Sequence, residues 1–161
     1  MITIMMGIPG SGKTTWIKKN RPNAYVCSAD LFFENLAREQ NKIYHQVFHF
    51  NLLGEAHGTC LKNFICEVRE MANLNQEADV VVDNTNTKLH EIAPYITIAQ
   101  AYRQKVEVLF MDTLINDCLR RQTHGVPFSI LFRMKENLDQ SIREWPFHWP
   151  KFTCTYNATN R

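Results

Sequence analysis

The chain alternates short, mostly apolar runs with longer segments whose apolar residues recur every three or four positions. Ile2–Met6, Val80–Val82 with its flanks and Val106–Phe110 have the pattern of strands buried on both faces, and Ala24–Cys27 is a weaker fourth. Between them, Cys60, Leu61, Phe64, Ile65, Val68, Met71 and Ala72 fall on one helical face. Ile92, Tyr95, Ile96, Ala99 and Tyr102 do the same. Pro127 opens a third helical segment in which Ile130, Met134, Leu138 and Ile142 repeat every four residues. Strands alternating with helices predict an α/β domain: a mainly parallel sheet between two helical layers. With 161 residues and neither an internal repeat nor a linker, one domain over residues 1–161 is expected.

Directly behind the first strand stands GIPGSGKTT, Gly7 to Thr15, which satisfies the spacing G-x-x-x-x-G-K-[ST]. Glycines let such a loop turn tightly and aim its N–H groups at anionic oxygens. The helix starting near Lys13 presents its partially positive end to the same oxygens. Gly7, Pro9, Gly10, Ser11, Gly12, Lys13, Thr14 and Thr15 are therefore the expected ATP-binding residues. Lys13 reaches the β- and γ-phosphates, and the Thr14 hydroxyl ligates Mg²⁺. No Asn-Lys-x-Asp sequence for reading guanine occurs.

Three later sites complete the chemistry. Asp30, in AYVCSADLFFE, lies just past the second strand, at the sheet edge where α/β folds hold ligands. It is the expected general base and acceptor contact, with helix capping as the alternative. Asp83, after three valines, is placed to hold Mg²⁺ or its water. Asn84 and Asn86 follow as candidate acceptor contacts, with turn formation as the alternative. After the fourth strand, Arg120 and Arg121 end a short helix before a loop bounded by Gly125 and Pro127. An arginine closing over the transferring group stabilises its spread charge, so both are candidate catalytic residues in a lid over about residues 118–128. His124 either assists in binding the acceptor or caps the helix.

In order, GIPGSGKTT, SADLFF, VVVDNTN and RRQTHGVP resemble the P-loop kinases related to bacteriophage polynucleotide 5′-hydroxyl kinase, over roughly residues 1–140. The group includes the kinase-like half of 2′,3′-cyclic-nucleotide phosphodiesterase. The resemblance implies a three-layer P-loop NTPase fold with the first strand central, Asp30 as base and an arginine-bearing lid. It also implies a nucleic-acid 5′-OH or nucleotide-like acceptor. In the phage kinase an aspartate stands where this chain has Asn84, and an arginine a few residues beyond the base where it has Phe33. The lid arginine nearest Gly-Val-Pro corresponds loosely to His124. A nucleotide-dependent switch binding RNA or protein, and a kinase acting on a small molecule, share the same motifs.

The charge pattern adds to this picture. The net charge is only +2, but residues 1–23 hold four basic and no acidic side chains, whereas residues 24–112 hold twelve acidic against seven basic. Positive ends around a negative middle suit a bound polyanion. Cysteines at 27, 60, 66, 118 and 154 form no Cys-x-x-Cys pair, which predicts a reducing, cytoplasmic setting. No apolar run reaches the roughly 20 residues that span a bilayer, and ITIMM does not read as a signal peptide. His45 and His49 have the i, i+4 spacing of a helical metal pair without a third ligand, so a surface or partly buried pair is expected. Only His57-Gly58-Thr59 fits His-x-[ST], which excludes cyclic-phosphodiesterase chemistry. The aromatic tail, residues 145–161, is expected to cover an exposed core edge, with base stacking by Trp145, Phe147, Trp149 and Phe152 as the alternative.

Overall fold

A computed structural model of the chain describes residues 1–74 and 78–156. Five parallel strands form one sheet: β1 (Ile2–Met6), β2 (Tyr25–Cys27), β3 (Val80–Val82), β4 (Val106–Asp112) and β5 (Phe152–Tyr156), in the order β2-β3-β1-β4-β5. The first strand is central. Its five residues are all buried, because a strand covered on both faces has no solvent side to fill with polar residues.

The pleat divides the core in two. Ile2, Ile4 and Met6, with Val80, Val82, Val108 and Phe110, face α4 (Leu53–Leu74), α5 (Leu89–Ala101) and α7 (Phe128–Arg143). Phe64 and Val68, Ile92 and Ile96, and Leu131 and Leu138 from those helices are almost wholly buried there. Met5, Val81, Leu109 and Met111 face the opposite way, onto Trp16 and Ile17 of α1 (Lys13–Asn20). A third cluster joins α2 (Asp30–Glu39), α3 (Tyr44–Val47) and the start of α4 through Phe33, Ala37, Val47 and Ala56. Helix α6 (Ile115–Arg121) carries Cys118 into the main core.

Two local expectations change. On α7, Leu131 is fully buried while Ile130 is 40% exposed. Four residues advance a helix by about 400°, so the repeat drifts: Leu138 is buried and Met134 and Ile142 pack partly buried on the core, while Leu131 takes the place of Ile130. His45 and His49 do not share a helix, since α3 ends at Val47.

Within the tail, Trp145 meets Trp149 and Phe152 edge-on, each at 5.2 Å, and donates its indole N–H to the Pro150 carbonyl at 3.0 Å. All three rings pack on the main core while Phe147 is 99% exposed, so covering the edge describes them better than a stacking platform. Phe152–Tyr156 extends this cover as an edge strand, and residues 157–161 lie outside the described residues. No helix among the described residues is long and apolar enough to cross a membrane.

Candidate functional site

The loop after β1 is built by close approach of backbone. The Gly7 N–H donates to the Thr85 carbonyl at 2.9 Å, tying the loop to the segment after β3. A Cβ on Gly10, which sits at φ +81, would lie 2.2 Å from the Cys118 carbonyl oxygen. Only glycine lets helix α6 rest on the loop this closely. Thr113 donates to the Ser11 carbonyl at 3.0 Å, fixing the loop from β4's end. Gly12, at φ +95, leads into α1, whose first turn has no acidic residue to neutralise its N-terminal end. Pro9 is half-buried in the loop, and Thr14 and Thr15 are exposed in the helix's first turn.

Lys13 Nζ donates to the carbonyls of Gly7 at 2.9 Å and Ile8 at 3.3 Å. Burial pulls its pKa down, and the charges of Asp83, Asp30 and Cys118 oppose that pull. Thr14 Oγ1 donates to Asp83 Oδ2 at 2.9 Å. Burial pushes the Asp83 carboxyl up, Lys13 and Thr14 draw it down, and Asp30 pushes it up again. Three strand ends thus bring one cation and two carboxylates into mutual range. The Thr14–Asp83 pair offers only oxygen donors, which fits a hard divalent cation completing its shell with water and phosphate oxygens.

Asp30 opens α2, following Ala29 as the cap residue, and is exposed. Its N–H donates to Ser28 Oγ at 3.2 Å, and its Oδ1 accepts from the Tyr44 hydroxyl at 2.6 Å. The carboxylate therefore stands at the open sheet edge. Phe33, one turn further along α2, is 1% exposed and packs in the α2–α4 cluster.

Asn84 and Asn86 are both buried, and their side-chain amides find partners within the protein. Asn84 Oδ1 accepts from the Ala29 N–H at 2.9 Å, and its amide nitrogen reaches Cys60 Sγ and the Tyr95 hydroxyl, each at 3.3 Å. Asn86, at φ +45, donates to the Met5 carbonyl at 2.8 Å. Their amides hold the loops that carry Asp30 and Asp83, because a buried polar group left unpaired costs about 1–3 kcal/mol.

At the end of α6 the two arginines part company. Arg120 is 70% exposed and pairs with Asp117 one turn back on the surface. Arg121 is half-buried, and its charge, like that of Lys13, draws down the Cys118 thiol that burial otherwise raises. Gln122 closes the loop beyond them: its side chain accepts from the Val126 N–H and donates to the Val126 carbonyl, each at 2.7 Å. His124 is exposed and lies against Tyr44, ring centres 5.1 Å apart. Sequence reading missed Tyr44 and Gln122. No spacing in the sequence links Tyr44 to Asp30, 14 positions away.

Residues 2–124 match a family described as AAA domain. The chain belongs to that family. Over 149 residues, 88% of this AAA-domain chain, it is 27% identical to NEDD4-binding protein 2 of Homo sapiens, of whose length it spans only 8%. It superposes on a chain of the AvrRxo1-ORF1:-ORF2 complex solved with ATP, with a TM-score of 0.62 and 17% identity, covering 98% of this chain and 55% of that one. Shikimate kinase from Acinetobacter baumannii in complex with shikimate gives a TM-score of 0.53 and 16% identity, covering 99% of this chain and 84% of that one. The fold is that of the P-loop kinases, with the phosphate loop behind the central strand.

Proposed function

We propose that this AAA-domain chain is a single-domain, ATP- and Mg²⁺-dependent kinase that moves the γ-phosphate to a hydroxyl. The acceptor is a nucleic-acid 5′-OH or a nucleotide-like molecule. The observation that carries the reading is the placement of Asp30: an exposed carboxylate in electrostatic range of both Lys13 and Asp83. An ATPase switch needs the loop, the lysine and the metal site, but no carboxylate facing an acceptor.

The loop amides and Lys13 hold the donor phosphates, and Thr14 and Asp83 hold the cation. A bound Mg²⁺ supplies positive charge to the β- and γ-oxygens. Asp30 takes the acceptor's proton. Arg121, the lid arginine nearer the buried face, neutralises charge on the transferring group, with Arg120 supporting the lid surface. Asn84 and Asn86 set the loops, and His124 borders the acceptor side. The motif order shared with polynucleotide 5′-hydroxyl kinases, and the positive ends of the chain, support the choice of acceptor.

The test is incubation with γ-labelled ATP and a panel of 5′-OH DNA, 5′-OH RNA, nucleosides and nucleotides. Label on a member of the panel is expected, whereas free phosphate alone would sink the reading in favour of the switch. Asp30→Asn should nearly abolish transfer while leaving ATP binding intact.

A further inference from the structure

Tyr44 sits 14 residues from Asp30 in the chain, yet its hydroxyl donates to Asp30 Oδ1 at 2.6 Å. Its ring is held on three sides. It stacks on Phe48 at 5.7 Å, meets Phe33 edge-on at 5.8 Å and touches His124 of the lid loop at 5.1 Å. Phe33 itself is anchored at 1% exposure among Ala37, Val47 and Ala56. The hydroxyl is therefore carried by a packed surface, and its orientation does not depend on a flexible loop. Burial pushes the phenol well above its ordinary range, and its bond to Asp30 and the charges of Asp30 and Glu34 push it further, so it stays protonated and remains a donor.

We propose that Tyr44 is the positioning residue of the base: it pins one Asp30 oxygen and leaves the other to take the acceptor's proton. The inference rests on the kinase reading above. In the step, the acceptor's hydroxyl proton passes to the second Asp30 oxygen while the acceptor oxygen bonds to the γ-phosphorus. The bond from that phosphorus to the β–γ bridging oxygen breaks, and its electron pair leaves on ADP. Tyr44 keeps its own proton throughout. A carboxylate fixed at one oxygen has lost its rotational freedom before the acceptor arrives, which is how a supporting residue raises the rate of a step it does not perform. His124 places the lid loop in the same support.

Tyr44→Phe keeps the ring against Phe33, Phe48 and His124 and deletes only the hydroxyl. With whichever panel acceptor the wild type labels, kcat is expected to fall about tenfold. The KM for ATP and the melting temperature should stay at wild-type values, a pattern that loss of a purely structural contact would not give. Introduced into Asp30→Asn, the same change should cause no further loss. Wild-type kcat in Tyr44→Phe beside an inactive Asp30→Asn would overturn this inference and leave the base in place. A second, equal loss in the double variant would also overturn it. Normal turnover by Asp30→Asn, or no labelled acceptor with the wild type, would overturn both this inference and the kinase reading.

Discussion

Thr14 Oγ1 donates to Asp83 Oδ2 at 2.9 Å although 69 positions separate the two residues. The contact follows from topology: α1 begins where β1 ends, β3 lies beside β1, and parallel pairing brings both carboxyl ends to one edge. There the hydroxyl, the carboxylate and Lys13 share a half-buried space, in which burial raises the carboxyl's pKa more than its partners lower it.

This gives a pH dependence of definite sign. The folded chain keeps the Asp83 proton above the ordinary aspartate value of 3.8, where the unfolded chain has lost it. The folded state then binds more protons, so the stability contributed by residue 83 falls as pH rises through its raised pKa. Asp83→Asn removes the titration but keeps an oxygen to accept from Thr14. The melting temperature of nucleotide-free wild type minus that of Asp83→Asn should decrease from about pH 4 to about pH 7. A difference that is flat or grows would mean that pairing with Lys13 outweighs burial.

The two arginines at the end of α6 can be separated by kinetics. Arg120 is tied to Asp117 in an exposed pair, a contact worth about 0–1 kcal/mol, and its loss should change turnover less than about threefold. Arg121→Ala should lower kcat by about 10³-fold, the range of an arginine that meets the transferring group. Equal effects of the two substitutions on labelled-acceptor formation would remove the distinction drawn from their burial.

Glycine substitutions should have opposite effects at two positions. Gly10→Ala puts a methyl group 2.2 Å from the Cys118 carbonyl at a φ that side chains avoid. A loss of about 2–3 kcal/mol is expected, read as a fall in melting temperature of roughly 5–10 °C. Gly58, within α4, has nothing within 4 Å of an added Cβ. Gly58→Ala should gain about 0.5–1 kcal/mol by removing backbone freedom from the unfolded chain. A Gly10→Ala protein as stable as wild type would mean that α6 does not rest on the loop in solution.

Much of the scaffold was legible from residues 1–142 because it depends on short-range rules. An apolar run buried on both faces specifies a strand, and G-x-x-x-x-G-K-[ST] specifies a loop whose shape comes from its own glycines. Asp30 and Asp83 were readable as residues of one sheet edge, because Asp83 directly follows β3 and Asp30 stands three residues past the end of β2 in a parallel sheet. β5 was not, since two prolines and the alternating Phe152-Thr153-Cys154-Thr155-Tyr156 carry no buried-strand pattern, and pairing with β4 supplies what the local sequence lacks.

Other assignments were decided by packing between distant segments. The motif VVVDNTN marks Asn84 and Asn86 as polar residues at a sheet edge, but Ala29, Cys60, Tyr95 and Met5 turn their amides inward. Arg120 and Arg121 are adjacent in sequence, yet helical geometry leaves the first 70% exposed beside Asp117 and the second half-buried. Tyr44 reaches Asp30 because Phe33, Phe48 and Ala56 pack α2, α3 and α4 together. Backbone propensity is set by nearest neighbours in the chain. Which side chains meet at a site is set by the burial of apolar surface from many elements at once.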